Sequence, residues 1–579
     1  MKRGRHGERP RRPISLMSGF GRFAPNRVFI SLFLGALSGC LYALAIPLIL
    51  SSVSKPDDGL AYSTAAIVRI IGIDVSHARL AGFFLLVCLL ILVTRALAAI
   101  IMTRVSLDLA TALRHRLAYR IVRSTYPKLE DLGQSKLMVT LTADVRVIVA
   151  GAEVVPQLLT NGVMLAGLLA FLSYIDTRVF IFVLEATAFG VVTFQLPVML
   201  ANRHFRRSRK LYDDVEKGLR GLVLGVKELQ LDRRKRDGYF SKILVPGDQD
   251  LLATDKRART ILFVANSYGD LLFFFAIGTI AFVFVNYHSI AASDLIAVVM
   301  VLLYMTTPIS IILNALPRLS MASVSLRKIE EVLGELPENV EVERSLQPRP
   351  WNKVSFDKVT YKHRSSKSHE SFVVGPLDFS VEKGQITFIV GGNGSGKSTL
   401  CKILSLHYPP ESGQIRFGDH QVDEHSGDDL RQGIAMIVSD FHLFDRLLYA
   451  VDDDQLALIN HYLKKFGIAD KVSVNDGVFS TTELSDGQRK RLALVASFVD
   501  DKELYLLDEW AADQDPAFKK VFYTEILQDL KARGKAVVVV SHDDRYFDVA
   551  DQIIIMEEGH IIEQRRVRIA GAEAAHAGH

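Results

Sequence analysis

Six apolar stretches, each close to the roughly 20 residues that carry a helix through a bilayer, occupy the first 320 or so positions of this 579-residue chain. They lie near 28–50, 80–101, 153–173, 179–200, 261–285 and 295–316. Backbone amides cannot be left unpaired in lipid, so such segments are expected to be helices. Everything after Pro350 reads as soluble. An even number of spans puts both ends of the chain on one face. Lys2, Arg3, Arg5, Arg9, Arg11 and Arg12 precede the first span, and the positive-inside tendency makes that face cytoplasmic. The long connections 102–152 and 201–260 carry Arg114, Arg116, Arg120, Arg123, Arg206, Arg207, Arg209 and Lys210 and fall on the same face. The connections 51–79, 174–178 and 286–294 carry few cations, as outer loops should. A basic head before an apolar run has the outline of a signal peptide, but no small-residue cleavage site follows and five more spans do. The formal net charge of +5 is accounted for by these flanks, so no nucleic-acid partner is expected. Cys40, Cys88 and Cys401 offer neither a metal spacing nor a disulfide framework, and each is expected to be a small buried apolar residue.

The second half is constrained by GGNGSGKST at 391–399, which follows the apolar run ITFIV at 386–390. A strand feeding a glycine-rich turn and then a helix is a phosphate-binding loop, because the turn exposes consecutive N–H groups and the helix start aims its positive end at the same anion. Gly391, Gly392, Asn393, Gly394, Ser395, Gly396 and Thr399 form that cradle; Lys397 reaches the β- and γ-phosphates, and the Ser398 hydroxyl binds magnesium. Four further elements follow in order: LSDGQ at 484–488, LYLLDE at 504–509, DQD at 513–515 and SHDD at 541–544. The apolar run 504–507 delivers Asp508 to the metal, and Glu509 is next in line to take a proton from, or orient, an attacking water. His542 follows the run AVVVV at 536–540, where the end of a buried parallel strand would overhang the γ-phosphate. LSDGQ opens a second helix in anion-binding form, although one phosphate loop already fills that role. It is useful if it closes on a nucleotide held by another copy, which implies a dimer. Strand-like runs at 354–361 and 379–390, alternating with helical patterns, give an α/β core.

These motifs together resemble the nucleotide-binding domain of ATP-binding cassette proteins over 354–564, and the whole chain resembles a half-size exporter. The resemblance implies an all-α six-helix transmembrane domain of the type IV ABC exporter kind fused to an α/β P-loop nucleotide-binding domain. Its expected divisions are a cytoplasmic basic segment at 1–24, the membrane domain at 25–329, a linker at 330–350, the cassette at 351–566 and a disordered tail at 567–579. Carried over residue by residue, Ser485, Gly487 and Gln488 would face ATP bound by a second copy, and Asp515 would lie in the loop connecting two such sites. Departures from the family pattern are visible. Ser439 and Asp440 stand where a glutamine is usual and are the candidates to replace it at the magnesium; Asp486 stands where glycine is usual; the ring expected to stack on adenine is either His363 or Tyr361.

VSDFHLFD, LSDGQRKRLAL, DEWAADQDP and GVKELQLDRRKR resemble the bacterial exporters of cyclic peptides and peptide siderophores, of the syringomycin and pyoverdine type. That implies ATP- and magnesium-dependent export of a nonribosomal peptide, siderophore or precursor across the inner membrane, by a homodimer in contact with membrane lipid. Two rivals are a lipid or glycolipid flippase and an ATP-regulated membrane protein that moves nothing uphill. Short cytoplasmic helices are expected near 128–133 and 223–231 to transmit motion, and Leu107, Leu109, Leu113, Leu117 and Ile121 suggest one buried face on the helix before the first of them. Ionisable residues inside spans usually face a cavity. Glu185, Asp270 and Arg95 are the candidates for the substrate cavity, with Glu153, Gln157 and Asn266 as weaker members. Pro47, Pro156, Pro197 and Pro308 are placed to bend the spans.

Overall fold

The computed structural model describes residues 20–21, 23–53, 67–70, 73–284, 292–337, 350–363, 372–423 and 426–567. The basic head, the low-complexity tail, much of the first outer loop and most of the expected linker lie outside the described residues, as does the side chain of Asp270. The chain divides into two units: residues 1–119 with 137–334, and residues 120–136 with 335–579.

Six helices of the first unit are long and apolar enough to cross a membrane: Pro25–Ile49, Ala81–Val122, Gln134–Ile175, Thr177–Leu224, Arg233–Val283 and Asp294–Glu335. Many of their large apolar side chains are exposed, among them Phe33, Leu85, Leu92, Phe189 and Phe275. That pattern suits lipid, which solvates what water would not. Where the helices do touch, small residues let backbones approach. A Cβ on Gly167 would meet that of Ala43 at 2.4 Å, and one on Gly151 would meet that of Ala322 at 2.2 Å. Buried polar contacts add direction: Ser31 Oγ donates to the Ala98 carbonyl at 2.7 Å, and Ser325 Oγ to Asp144 at 2.8 Å. All four noted prolines, and Pro317, sit inside assigned helices.

Several expectations are corrected here. Cys40 and Cys88 are exposed on their helices and only Cys401 is buried, because a bilayer-facing thiol needs no protein cover. The buried stripe before the first short helix runs through Met102, Val105, Ser106, Ala110 and Leu117, while Leu107 is exposed. The last membrane helix continues to Glu335, into the acidic stretch read as linker. A two-stranded hairpin, Ile67–Ile70 with Ile73–Ser76, stands in the first outer loop.

The two long connections, between the second and third and between the fourth and fifth of these helices, share one plan. A short helix, Tyr126–Leu132 or Val226–Leu231, is followed by a second one, Gln134–Val139 or Arg233–Tyr239, then a π-turn, Thr140–Asp144 or Phe240–Leu244, and a long returning helix. The first short helix starts after Thr125 with Pro127 in its opening turn and stops at Gly133, whose φ of 75° suits glycine. In the second, the Asp232 carboxylate caps the following helix by accepting from the Arg234 and Lys235 amides.

In the second unit, six strands order as His560–Arg566, Gln552–Glu557, Ile386–Gly391, Ala536–Val540, Leu504–Asp508 and Ile434–Ile437; all neighbours are parallel except the hairpin at the first edge. Alternate residues of the central strands enter opposite cores. Tyr505 and Leu507 pack with the helical side, which includes Leu492, Phe498 and Phe522. Leu504 and Leu506 pack with the phosphate-loop helix and a four-stranded antiparallel sheet that contributes Val354, Phe379 and Phe417. Both faces covered is the arrangement that makes AVVVV and LYLL uniformly apolar.

Candidate nucleotide and membrane sites

Parallel register brings the C-terminal ends of four strands to one rim: Asp508 pairs with Val540, Val540 with Ile389, and Leu507 with Ile437. Ligands of open α/β sheets bind at that rim, and the loops that leave it here carry Gly391–Lys397, Glu509, His542 and Ser439–Asp440. Gly396, at φ 98°, precedes the helix Lys397–Leu404 in a conformation that a side chain would resist. A cavity of about 820 Å³ lies against Gly391, Gly392, Asn393, Gly394 and Ser395 and is walled by Phe372, Val373, Met556 and His560.

Lys397 is buried, and its ammonium donates to the Gly391 and Gly392 carbonyls at 2.9 and 2.7 Å. Burial pushes it below the ordinary lysine value, and the nearby Glu509 and Asp508 charges act against that. Burial likewise pushes the Asp508 carboxyl up; the hydrogen bond from Ser398 opposes the rise, and the Glu509 charge adds to it. Asp508 Oδ1 is buried with no hydrogen-bond partner. A buried, unpaired carboxylate oxygen beside a serine hydroxyl fits a hard divalent cation. Among the described residues no group of three or more metal-ligating side chains gathers, but an ion that also binds phosphate needs only one or two carboxylates.

Glu509 leaves the strand with φ 48° and ψ 32°, left-handed for a residue with a Cβ. Such a conformation costs on the order of 1–3 kcal/mol and persists where surroundings over-determine it. Its amide donates to the Val540 carbonyl at 3.2 Å, and its Oε1 lies 3.2 Å from His542 Nε2. Both side chains are part exposed, open to water at the rim. A carboxylate paired with an imidazole at such a place can take up or pass on a proton.

Ser485 starts the helix Asp486–Val499 with a capping box: its hydroxyl accepts from the Gln488 amide, and the Gln488 side chain accepts from the Ser485 amide. Ser485 and Asp486 are exposed at the tip. Gly487 is required for another reason, since a Cβ there would stand 2.7 Å from the Asp513 carbonyl.

The two adenine candidates part company. Tyr361 is buried and stacked on Tyr408, with centroids 4.4 Å apart and planes 10° from parallel. His363 is exposed at the strand end, 6.3 Å from the same Tyr408 ring. Tyr408 in turn donates to Glu130 at 2.5 Å, and Lys402, on the phosphate-loop helix, reaches the same carboxylate at 3.0 Å. Burial and the Glu130 hydrogen bond push the Tyr408 phenol far up, so it stays a donor. Glu130 belongs to the short helix Tyr126–Leu132 of the first long connection. Asp440 is exposed, and its charge raises both Tyr126 and Asp508, so it lies within electrostatic reach of that short helix and of the nucleotide rim. Sequence reasoning missed Tyr408 and Glu130, because nothing local marks two residues that meet only across 278 positions.

In the membrane unit a cavity of about 270 Å³ opens between three spans. Thr187, Gly190, Val191 and Phe194 come from one, Asn266, Gly269 and Leu272 from the next, and Ile309, Ser310, Leu313 and Asn314 from the last. Among the described residues no lining residue is ionisable. Glu185 precedes Thr187 by two residues, about 200° around the helix, and neither it nor Arg95 lines the cavity. Arg95 donates instead to the Tyr42 hydroxyl at 2.9 Å. Asn266, Ser310 and Asn314 are exposed, and Asn266 alone of these was marked by the sequence.

Residues 374–512 match the family described as ABC transporter. The chain is 28% identical to the ATP-binding protein SyrD of Pseudomonas syringae pv. syringae, over 98% of this chain and 99% of that one. It is 23% identical to a probable ABC transporter ATP-binding/permease protein of Haemophilus influenzae, over 79% and 84% of the two chains. An ATP-dependent lipid A-core flippase of Alkalilimnicola ehrlichii is 25% identical over 48% of each. An ABC transporter cassette and six helices long and apolar enough to cross a membrane thus stand in one polypeptide, the arrangement of a half-size exporter of the type IV kind, in which an ATPase is coupled to transport.

Proposed function

We propose that the chain exports an uncharged, amide-rich molecule, a cyclic or nonribosomal peptide or a peptide siderophore or its precursor, across the bacterial inner membrane by alternating access. The observation that carries this reading is the membrane cavity, whose walls, among the described residues, offer hydroxyls and carboxamides and no charge. Exposed carboxamides in a span are costly against lipid, so they belong against water or a bound polar group. Peptide amides match them donor for acceptor. The end-to-end likeness to SyrD supports the same class.

In the cassette, Gly391–Thr399 would cradle the phosphates and Lys397 would contact the terminal ones. Ser398 and Asp508 would hold magnesium, which neutralises charge on the transferred phosphoryl group, and Ser439 and Asp440, on the loop that leaves the neighbouring strand, are the candidates to assist. Glu509 orients or deprotonates the attacking water and His542 holds it there. His363 is the ring left free to stack on adenine. Two copies would sandwich two nucleotides, with Ser485, Gly487 and Gln488 of one facing the phosphate loop of the other. Glu509 and the intact helix start in one chain supply a homodimer with two competent sites. Both termini lie in the cytoplasm, where ATP is.

The flippase reading has its own support in the Alkalilimnicola relative. Reconstituted protein decides between them. A cyclic peptide should stimulate ATPase and accumulate in inside-out vesicles, and lipid should do neither; stimulation by lipid alone would select the flippase, and no ATP-dependent accumulation of either would defeat both.

A further inference from the structure

Lys490 is nearly inaccessible, at 4% exposure, although it sits only four residues after the exposed tip of the helix Asp486–Val499. Its ammonium lies 2.7 Å from Asp513 Oδ2 and donates to the Glu509 carbonyl at 3.0 Å. Its own carbonyl accepts from Trp510 Nε1 at 3.1 Å, in a buried contact. Trp510 is fully buried and stacked on Phe522 at 4.4 Å. One lysine therefore grips the turn that follows Glu509 from both sides, through side chain and backbone. Beside it Arg491 reaches Gln514 and Asp515, and Gln514 donates back to the Gly487 carbonyl. The start of this helix and the loop 509–515 are tied by these six contacts, and Gly487 allows the close approach.

Glu509 holds a left-handed backbone that its own residue type disfavours. Val540 fixes its amide from the strand side. Lys490 fixes its carbonyl from the helix side. We propose that Lys490 is a positioning residue for hydrolysis: it holds Glu509 in its strained conformation and makes the aim of that carboxylate depend on where the helix Asp486–Val499 sits. The contact is charge-assisted and shielded from water, which makes it directional as well as strong. Because the tip of the same helix is the part that would meet another copy's nucleotide, engagement at one site would be felt at the Glu509 of the other. The proposal rests on the reading of Glu509 given above.

Purified full-length protein carrying Lys490→Met tests it. The long apolar stem is kept, and Asp513, whose side chain is half exposed, is left in reach of water. Turnover should fall about tenfold, the loss of one hydrogen bond from a charged donor, while KM for ATP stays within about twofold. Lys490→Arg should recover most of the rate. Asp513→Ala, which leaves the Lys490 ammonium without its carboxylate partner, should lower kcat about threefold. Glu509→Gln is the control. If it turns over like wild type, the reading of Glu509 fails. If it is silent while Lys490→Met and Asp513→Ala turn over normally, only the role of Lys490 fails. A rise in KM that accounts for the whole loss, or no recovery with arginine in a folded protein, also overturns it.

Discussion

Two rings compete for adenine in this sequence, and packing separates them. Tyr361 is already committed to a parallel stack with Tyr408, whereas His363 is exposed beside it. Replacing His363 by Ala should raise KM for ATP about tenfold, the order of one base–aromatic stack, and leave melting unchanged. Tyr361→Ala should instead lower the melting temperature, since truncating a buried aromatic costs about 3–5 kcal/mol. Nucleotide titration with thermal melts of both variants checks the assignment. Glu509→Gln keeps size and removes the proton acceptor. It should leave ATP binding intact and cut phosphate release about a hundredfold or more.

At the scale of elements, the short helix Tyr126–Leu132 touches the nucleotide domain through chemistry rather than shape alone. Glu130 joins Tyr408 and Lys402 in one hydrogen-bonded group, and Lys402 also lies over the Tyr126 ring at 5.1 Å. Lys402 shares a helix with Lys397, so the group joins the short helix Tyr126–Leu132 to the phosphate loop. Glu130→Ala should keep basal ATPase within about twofold and lose about tenfold of substrate-stimulated transport. Parallel assays of phosphate release and vesicle uptake would detect the split; equal losses in both would show that the contact serves the ATPase itself.

For the whole molecule, the cavity and the cassette are separate tests of one cycle. Asn266→Leu with Asn314→Leu keeps side-chain volume and removes both carboxamides. Basal ATPase should persist, and the peptide concentration giving half-maximal stimulation should rise about tenfold or more, since a partner amide left unpaired in an apolar wall costs about 1–3 kcal/mol. Unchanged stimulation would place the substrate elsewhere.

The nucleotide rim was legible in the sequence because its parts are contiguous. A strand, a turn and a helix start lie within a dozen residues, and the phosphate loop, Glu509 and His542 each follow a strand whose apolar run announces it. The six spans were legible because lipid leaves the backbone one solution, and length and hydropathy report it. The sequence even placed both short helices within a few residues, where the chain turns between long helices. Depth and direction of side chains were not legible. Glu185 and Arg95 stood out by charge, yet the cavity is lined by Thr187, Ser310, Asn314 and glycines that composition does not mark. Which ring is free for adenine, why Lys490 is buried, and which thiols face lipid depend on partners dozens to hundreds of positions away. One chain carries its local rules in order, but proximity between distant residues exists only once the helices and strands have packed.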